Sequence, residues 1–222
     1  MEYALDRITS LSPIMERIVV LTNSRFKPQF EAWAQDKSWW NIEVMSDNSR
    51  SEEEKPGAIG ALASLGHKIT DDFLVIAGDC VYPGGVENLV KFYHGKNAPV
   101  IGIYRASNID QIRRGSAVIL GDDNIILDFV EKPENPETDL VGAVIYAFPR
   151  RIRDRLREYS ELKLQCDEPG RFIEWLHKKE TVYGYQLDDV VWDIGTLKAY
   201  EEIDRMFSEA GRPARRRIYE TD

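Results

Sequence analysis

The sequence predicts an α/β protein, with a doubly wound, mostly parallel Rossmann-like sheet followed by a smaller β-rich part. Two observations lead to this fold class. From residue 1 to about residue 104, helical and apolar strand-like patterns alternate, which is typical of a parallel sheet with helices on both faces. Beyond that point, two strand-like runs flank Gly121-Asp122-Asp123-Asn124, a sequence typical of a β-hairpin.

The first half contains four strand-like segments separated by helices. Its opening helix has an apolar face, made of Met1, Ala4, Leu5, Ile8 and Leu11. The strands are nearly continuous apolar runs, as parallel strands are: RIVVLTN at 17–23, NIEVMSD at 41–47, DFLVIAGD at 72–79, and residues 99–104. Further helices are expected near Pro28, at Gly57–Leu65 and at Val86–Tyr93.

The second half is predicted to contain more β-structure. After the hairpin we expect a strand at 139–149, helices at 152–162 and 172–178, two short strands in TVYGYQL and VVWDI, and a helix at 197–209. The domain is expected to cover residues 1–209. Residues 210–222 form a basic tail, which we expect to be a solvated end rather than a nucleic-acid contact.

Composition excludes some classes of partner. The 222 residues carry a net charge of −9, whereas a nucleic-acid-binding surface needs basic density. No apolar run approaches the ~20 residues that span a bilayer. We therefore expect neither nucleic acid nor a membrane as partner. The two cysteines, Cys80 and Cys166, are isolated, which favours a reducing cytoplasm.

Two aspartates follow apolar strand patterns. Asp79 ends DFLVIAGD and Asp193 lies in VVWDIGT. In open parallel sheets ligands bind at the carboxyl edge, and two such carboxylates could jointly hold Mg²⁺. The alternatives are a turn role for Asp79 and a helix N-cap role for Asp193.

Two further motifs allow a binding role or a plain structural one. Glu131-Lys132-Pro133 ends the hairpin, and Pro133 biases Lys132 towards an extended backbone, so that one of the two charges can face a pocket. Gly57 and Gly60 begin a helix, where glycines allow close backbone approach and the N-terminus attracts anions. A hairpin exit with solvated charges and a tightly packed small-residue helix are equally consistent.

Five segments occur in one order along the chain: GAIGALASL, FLVIAGD, RRGSAVIL with FVEKP, LVGAVIYAFP, and VVWDIGTLKAYEEID. In this order and spacing they resemble the sugar-1-phosphate nucleotidyltransferases, the sugar-nucleotide pyrophosphorylase family. The match runs from residue 1 to about Met206. The segment CDEPGRFIEWLHKKETVYGYQLDD is similar to the C-terminal part of glucose-1-phosphate thymidylyltransferases and related enzymes.

The resemblance implies a reaction between a nucleoside triphosphate and a sugar 1-phosphate that releases pyrophosphate. It assigns Mg²⁺ to Asp79 and Asp193, and catalytic roles to these two residues and to Lys132. It also implies a nucleotide half at 1–105 and a sugar-binding half at 106–209. It leaves the base, the sugar and a homo-oligomeric state open.

The resemblance implies further contacts on both substrates. Gly57 and Gly60 match the segment that faces the nucleotide base, beside Asp79. On the sugar side, Gly115 matches a backbone position near the sugar, Glu131 accepts hydrogen bonds from sugar hydroxyls, and Lys132 contacts the sugar phosphate.

The sequence departs from the family pattern in two places. Ala143-Val144 stands where the family has a small or hydroxyl residue followed by Gly, so Val144 adds bulk where the sugar approaches. The family's first strand, its G-x-G-T-R loop and the Pro-Lys after it have no counterpart in the sequence. That strand is central, between RIVVLTN and DFLVIAGD, and a buried strand of this kind contributes roughly 5–9 kcal/mol.

The lack of this unit leaves three arrangements open. The two neighbouring strands pair directly, another chain supplies the strand, or Met1 is an internal methionine of a longer protein. We favour the last, since the first helix begins without an N-cap residue.

Three interpretations of function follow. The chain is a truncated nucleotidyltransferase with little or no activity, a non-catalytic paralogue that binds or regulates, or an unrelated α/β domain that matches by chance.

Overall fold

The structure is a computed structural model that describes residues 1–37, 40–51, 53–82, 84, 86–162, 164–188 and 190–209. The basic tail predicted at 210–222 lies outside these residues. The helices are α1 Glu2–Ile8, α2 Lys27–Gln35, α3 Gly57–Ser64, α4 Val86–His94, α5 Ile109–Arg114, α6 Ile152–Glu161, α7 Pro169–Leu176 and α8 Leu197–Glu209. Short 3₁₀ turns cover Thr9–Ile14, Gly66–Lys68 and Asp122–Asn124.

The strands form one four-stranded sheet and three two-stranded ones. They are β1 Ile18–Thr22, β2 Ile42–Ser46, β3 Phe73–Ile76, β4 Cys80–Val81, β5 Val100–Arg105, β6 Ser116–Leu120, β7 Ile126–Glu131, β8 Leu140–Phe148, β9 Tyr183–Gln186 and β10 Trp192–Asp193. The larger sheet has the order β3-β8-β5-β9, and the pairs are β1-β2, β4-β10 and β6-β7.

The larger sheet is mixed. β8 runs antiparallel to both β3 and β5, and β9 runs parallel to β5. Three of its strands therefore share one direction, and β8 opposes them. β1 and β2 are also parallel, whereas β6 and β7 form the expected antiparallel hairpin. The α/β Rossmann-like class is confirmed.

Both faces of the larger sheet are covered by helices. Side chains of β8 alternate between the faces: Tyr146 and Phe148 pack with residues of α6 and α7, and Ile145 and Ala147 pack with residues of α1 and α4. Because Phe148 and Ile145 are 1% and 0% exposed, β8 is the centre of two cores rather than an edge.

The strands β1 and β3 do not pair with each other in the described part of the chain. Each has one partner strand, β2 for β1 and β8 for β3. Their side chains are mostly half-buried in spite of their apolar sequences, IVVLT and FLVI. Direct pairing of these two strands, one of the arrangements left open by the sequence, is therefore not found.

Candidate active site

The short strands β4 and β10 bring Asp79 and Asp193 together. Asp193 is paired with Cys80 in the antiparallel register of these strands. Next to that pair, the amide of Ile194 donates a hydrogen bond to the carbonyl of Asp79 at 2.8 Å. The two aspartates therefore lie on adjacent chain segments.

Gly195 lies between the two carboxylates. A Cβ atom at Gly195 would lie 3.0 Å from Oδ1 of Asp193 and 3.5 Å from Oδ2 of Asp79. The amide of Gly195 also donates to Oδ1 of Asp193 at 2.7 Å. The lack of a side chain at Gly195 thus keeps the space between the carboxylates open.

The cap of α8 is Thr196 rather than Asp193. The amide of Ala199 donates to Oγ1 of Thr196 at 3.2 Å, which is the N-cap hydrogen bond that Asp193 was expected to make in the alternative interpretation. Asp193 is exposed and accepts a hydrogen bond from the amide of Gly195, in the turn before the helix. The capping requirement therefore does not explain this carboxylate.

The carboxylate pair fits a hard cation. Its donors are oxygens, which Mg²⁺ prefers, and Mg²⁺ is commonly held by one or two carboxylates plus water and substrate phosphates. No group of three or more His, Cys, Asp or Glu side chains suited to a metal occurs within the described ranges, so this pair would depend on such additional ligands. Burial, followed by the charge of Asp79, raises the pKa of the neighbouring Cys80 thiol to about 12, which keeps it protonated.

The first turn of α1 lies beside this pair. The amino group of Met1 donates to the carbonyl of Gly78 at 2.8 Å. A Cβ atom at Gly78 would lie 2.7 Å from Cε of Met1. Met1 therefore lies very close to the segment that precedes Asp79.

Glu131 and Lys132 form a second cluster with the first turn of α7. Lys132 is paired with Glu168, and Glu168 also accepts from Nε of Arg171 at 3.2 Å. A Cβ atom at Gly170 would lie 1.8 Å from Oε2 of Glu131, so the Glu131 carboxylate rests against the backbone of α7. Glu168 and Gly170 were not predicted to be site residues. The only signal for them in the sequence is the Glu-Pro-Gly that precedes a helical pattern.

The expected extended conformation of Lys132 is wrong. Its φ is +49°, in the left-handed region. Its amide donates to the carbonyl of Gly115 at 2.8 Å, and this bond fixes the chain where the hairpin ends. The predicted site residues Gly115, Glu131 and Lys132 are thus neighbours.

The carboxyl group of Glu131 is in an unusual electrostatic environment. Burial and then the charge of Glu168 raise the pKa of Glu131 to about 7, against opposing effects of Arg171 and Lys132. A shift of this kind is common at functional sites, although structural networks produce it as well.

The pKa of Tyr104 is affected by Asp193 and by Arg114, which is the neighbour of Gly115. Burial, followed by the charges of Cys80 and Asp193, raises the pKa of Tyr104 to about 12, and Arg114 opposes this effect. Arg114 directly precedes Gly115 in the chain.

Neighbouring atoms leave little room for a side chain at Gly57 or at Gly60. Gly57 has φ of +75°, and a Cβ atom there would lie 2.4 Å from the carbonyl carbon of Cys166. At Gly60 a Cβ atom would lie 3.1 Å from Cβ of Pro56. The amide of Ile59 donates to the carbonyl of Cys166 at 2.9 Å, so the chain itself satisfies part of the N-terminus of α3.

Val144 lies on the side of β8 that packs against α6 and α7, whereas Ala143 lies in the opposite core. The carbonyl of Val144 accepts hydrogen bonds from the Tyr82 hydroxyl at 2.9 Å and from the amide of Ala77 at 3.0 Å. The backbone is therefore fixed at the position where the family has glycine.

The fold and the paired carboxylates define an α/β domain with an acidic site at one rim of its sheets. The model of the family described as "Nucleotidyl transferase" matches residues 1–209. The chain belongs to this family, and the resemblance to sugar-1-phosphate nucleotidyltransferases is confirmed. A chance match of an unrelated domain is excluded.

Two relatives agree with this assignment. The chain is 29% identical over 127 residues to a bifunctional protein GlmU of Methanocaldococcus jannaschii, covering 57% of this chain and 29% of that protein. It is 25% identical over 131 residues to a glucose-1-phosphate adenylyltransferase of Lachnospira eligens, covering 58% and 31%. The chain thus spans about a third of the length of these two relatives.

A solved structure has the same fold. The structure of a putative glucose-1-phosphate thymidylyltransferase from Bacillus anthracis superimposes with a TM-score of 0.77 at 14% identity, covering 92% of this chain and 80% of that one. In the part of the chain that the structure describes, no helix is long and apolar enough to cross a membrane.

We expect Gly57→Ala to destabilise the fold by at least about 2 kcal/mol, because alanine disfavours a left-handed backbone and its Cβ would meet the chain at Cys166. Urea unfolding measures the change. Gly66→Ala is the control, since a Cβ at Gly66 meets nothing within 4 Å. Equal effects of the two substitutions would contradict the packing explanation.

We expect Glu131→Gln to stabilise the protein by about 1–3 kcal/mol at pH 8 and to have little effect at pH 5. The folded-state pKa of Glu131, about 7, lies above its ordinary value of 4.5. The wild type therefore loses stability as pH rises through this interval, and glutamine removes the loss. Urea unfolding at both pH values tests this, with the exposed Glu137→Gln as control; a pH-independent difference would contradict it.

Proposed function

We propose that this chain is a Mg²⁺-dependent nucleotidyltransferase domain of the type that joins a nucleoside triphosphate to a sugar 1-phosphate, with weak or no activity as a 222-residue chain. The observation that carries the proposal is the approach of Asp79 and Asp193 on either side of Gly195. In the reaction, a sugar-phosphate oxygen forms a bond to the α-phosphorus. The bond from the α-phosphorus to the oxygen of the β-phosphate breaks, and pyrophosphate leaves.

Asp79 and Asp193 would hold the cation and position it against the phosphates. Bound Mg²⁺ would supply neutralisation of negative charge on the reacting phosphate oxygens. Phosphoryl transfer depends mainly on such positioning and electrostatic stabilisation. The open space at Gly195 supports this role, because it leaves the two carboxylates accessible from one side.

The sugar 1-phosphate would bind in the half formed by residues 106–209. Lys132 would contact the phosphate, Glu131 would accept hydrogen bonds from sugar hydroxyls, and Gly115 would lie along the sugar. The contacts that hold Lys132 beside Gly115 support this set. By the resemblance, Val144 would add bulk where the sugar approaches and would restrict which sugar fits.

The nucleotide would bind in the half formed by residues 1–105, with Gly57 and Gly60 near the base and Asp79 near the phosphates. The packing of the two glycines does not exclude a neighbouring base. We place the protein in the cytoplasm, on the composition argument from its isolated cysteines.

We expect Asp79→Asn and Asp193→Asn each to lower Mg²⁺-dependent affinity for a nucleoside triphosphate at least about tenfold, since each removes a ligand charge. Isothermal titration with each of the four common triphosphates, with and without Mg²⁺, measures this. Asp122→Asn, in the exposed hairpin turn, is the matched control. Binding that is unaffected by both site substitutions would overturn the proposed function.

A non-catalytic binding or regulatory subunit is the second candidate. Two sequence features favour it: Val144 at the sugar approach, and the lack of a glycine-rich phosphate loop within these 222 residues. Backbone amides of such loops bind phosphates. The cluster nearest in sequence, Gly84-Gly85, follows Asp79 instead of preceding it.

We expect the 222-residue chain, assayed as it stands, to release pyrophosphate from triphosphate and sugar 1-phosphate slowly or not at all. The reason is that the leaving pyrophosphate lacks loop amides to stabilise it. A coupled pyrophosphate assay measures the rate, with Asp79→Asn as the blank. Robust turnover above that blank would contradict this expectation and exclude the non-catalytic candidate.

A further inference from the structure

We propose that Glu168 lowers the affinity of the site for phosphate because it competes with the incoming phosphate for the ammonium group of Lys132. The proposal rests on the proposed function for the identity of the physiological anion, a sugar 1-phosphate. In physical terms, the Glu168 carboxylate and a phosphate compete for the ammonium group of Lys132.

The ion pair between Lys132 and Glu168 has one more exposed and one more buried partner. The Lys132 side chain is 48% exposed, whereas that of Glu168 is 18% exposed. Glu168 directly precedes α7, in which Phe172 and Ile173 are fully buried. The helix therefore fixes the carboxylate, and the long lysine side chain reaches to it.

A second cation holds Glu168 in place. Nε of Arg171 lies 3.2 Å from Oε2 of Glu168, and Nη1 of Arg171 lies 3.0 Å from Oε2 of Glu174. Hydrogen bonding from Lys132 is the main reason that the pKa of Glu168 is lowered. Glu168 is thus an ionised carboxylate whose position does not depend on Lys132 alone.

A phosphate that binds Lys132 meets two carboxylates. It must replace Glu168 as the partner of the ammonium group, and Glu131 lies next to Lys132, against Gly170. A dianion in this place is repelled by Glu168 for as long as that side chain stays beside it. Glu168 therefore weakens the binding of any phosphate at Lys132, so that a phosphate with no further contacts binds only weakly there.

The test compares two glutamates that share Arg171. Glu168→Gln removes the competing charge, and Glu174→Gln is the matched control, because Glu174 contacts Arg171 but is not paired with Lys132. The probes are inorganic phosphate and glucose 1-phosphate. The backbone amide signals of Lys132 and Gly115 in NMR titrations give the dissociation constants.

We expect Glu168→Gln to bind inorganic phosphate about three- to tenfold more tightly than the wild type, the range for one partly exposed ion pair with added repulsion. Glu174→Gln should change the affinity less than twofold. The double variant with Lys132→Met should lose the gain. Because a purely structural role of Glu168 would leave binding unchanged or weaken it, a gain in affinity is specific to competition.

Two results would overturn the proposal: phosphate affinity in Glu168→Gln that is no higher than in the wild type, or a gain that survives Lys132→Met. Failure of the proposed function has a different signature. In that case glucose 1-phosphate would bind no more tightly than inorganic phosphate in every variant, whether or not Glu168→Gln raises the affinity for both.

Discussion

The pairing of two very short strands is the constraint on which the candidate site depends. β4 and β10 contain two residues each, and the hydrogen bond from Ile194 to Asp79 continues their pairing by one step. This pairing places Asp193 beside Asp79. A site that depends on so few backbone hydrogen bonds can adjust its carboxylate separation at little energetic cost, which suits a cation whose remaining ligands come from water and substrate.

The fold was predictable from sequence in those segments where the pattern of apolar residues along the chain matches the pattern of burial. The alternation of helices and apolar strands gave the α/β class, and the Gly-Asp-Asp-Asn turn gave the hairpin of β6 and β7. The position of β8 between β3 and β5 was not predictable, because an apolar run such as LVGAVIYAF is compatible with a parallel or an antiparallel neighbour. Strand order is decided by which core residues pack together, and local sequence does not encode that directly.

The candidate site was predictable in part, for a similar reason. Asp79, Asp193, Glu131 and Lys132 were found because strand ends and motifs mark them in the sequence. Glu168 and Gly170 were not, since their importance arises only when the first turn of α7 packs against the end of β7. The left-handed backbone of Lys132 was mispredicted: the local preference before proline is overridden by a hydrogen bond to Gly115, which is distant in sequence.

The first turn of α7 and the residues just before it contact three parts of the candidate site, which are α3, Lys132 and Glu131. Immediately before it, the backbone at Cys166 fills the space that Gly57 leaves free at the start of α3. Glu168 then pairs with Lys132, and Gly170 gives room for the carboxylate of Glu131. A movement of this turn would therefore change the proposed base-facing helix and both sugar-side charges at once. Because α7 is anchored by fully buried side chains, a phosphate bound in the proposed way would be accommodated with less strain by a swing of the Lys132 side chain than by displacement of the helix, and Glu168 would oppose that swing.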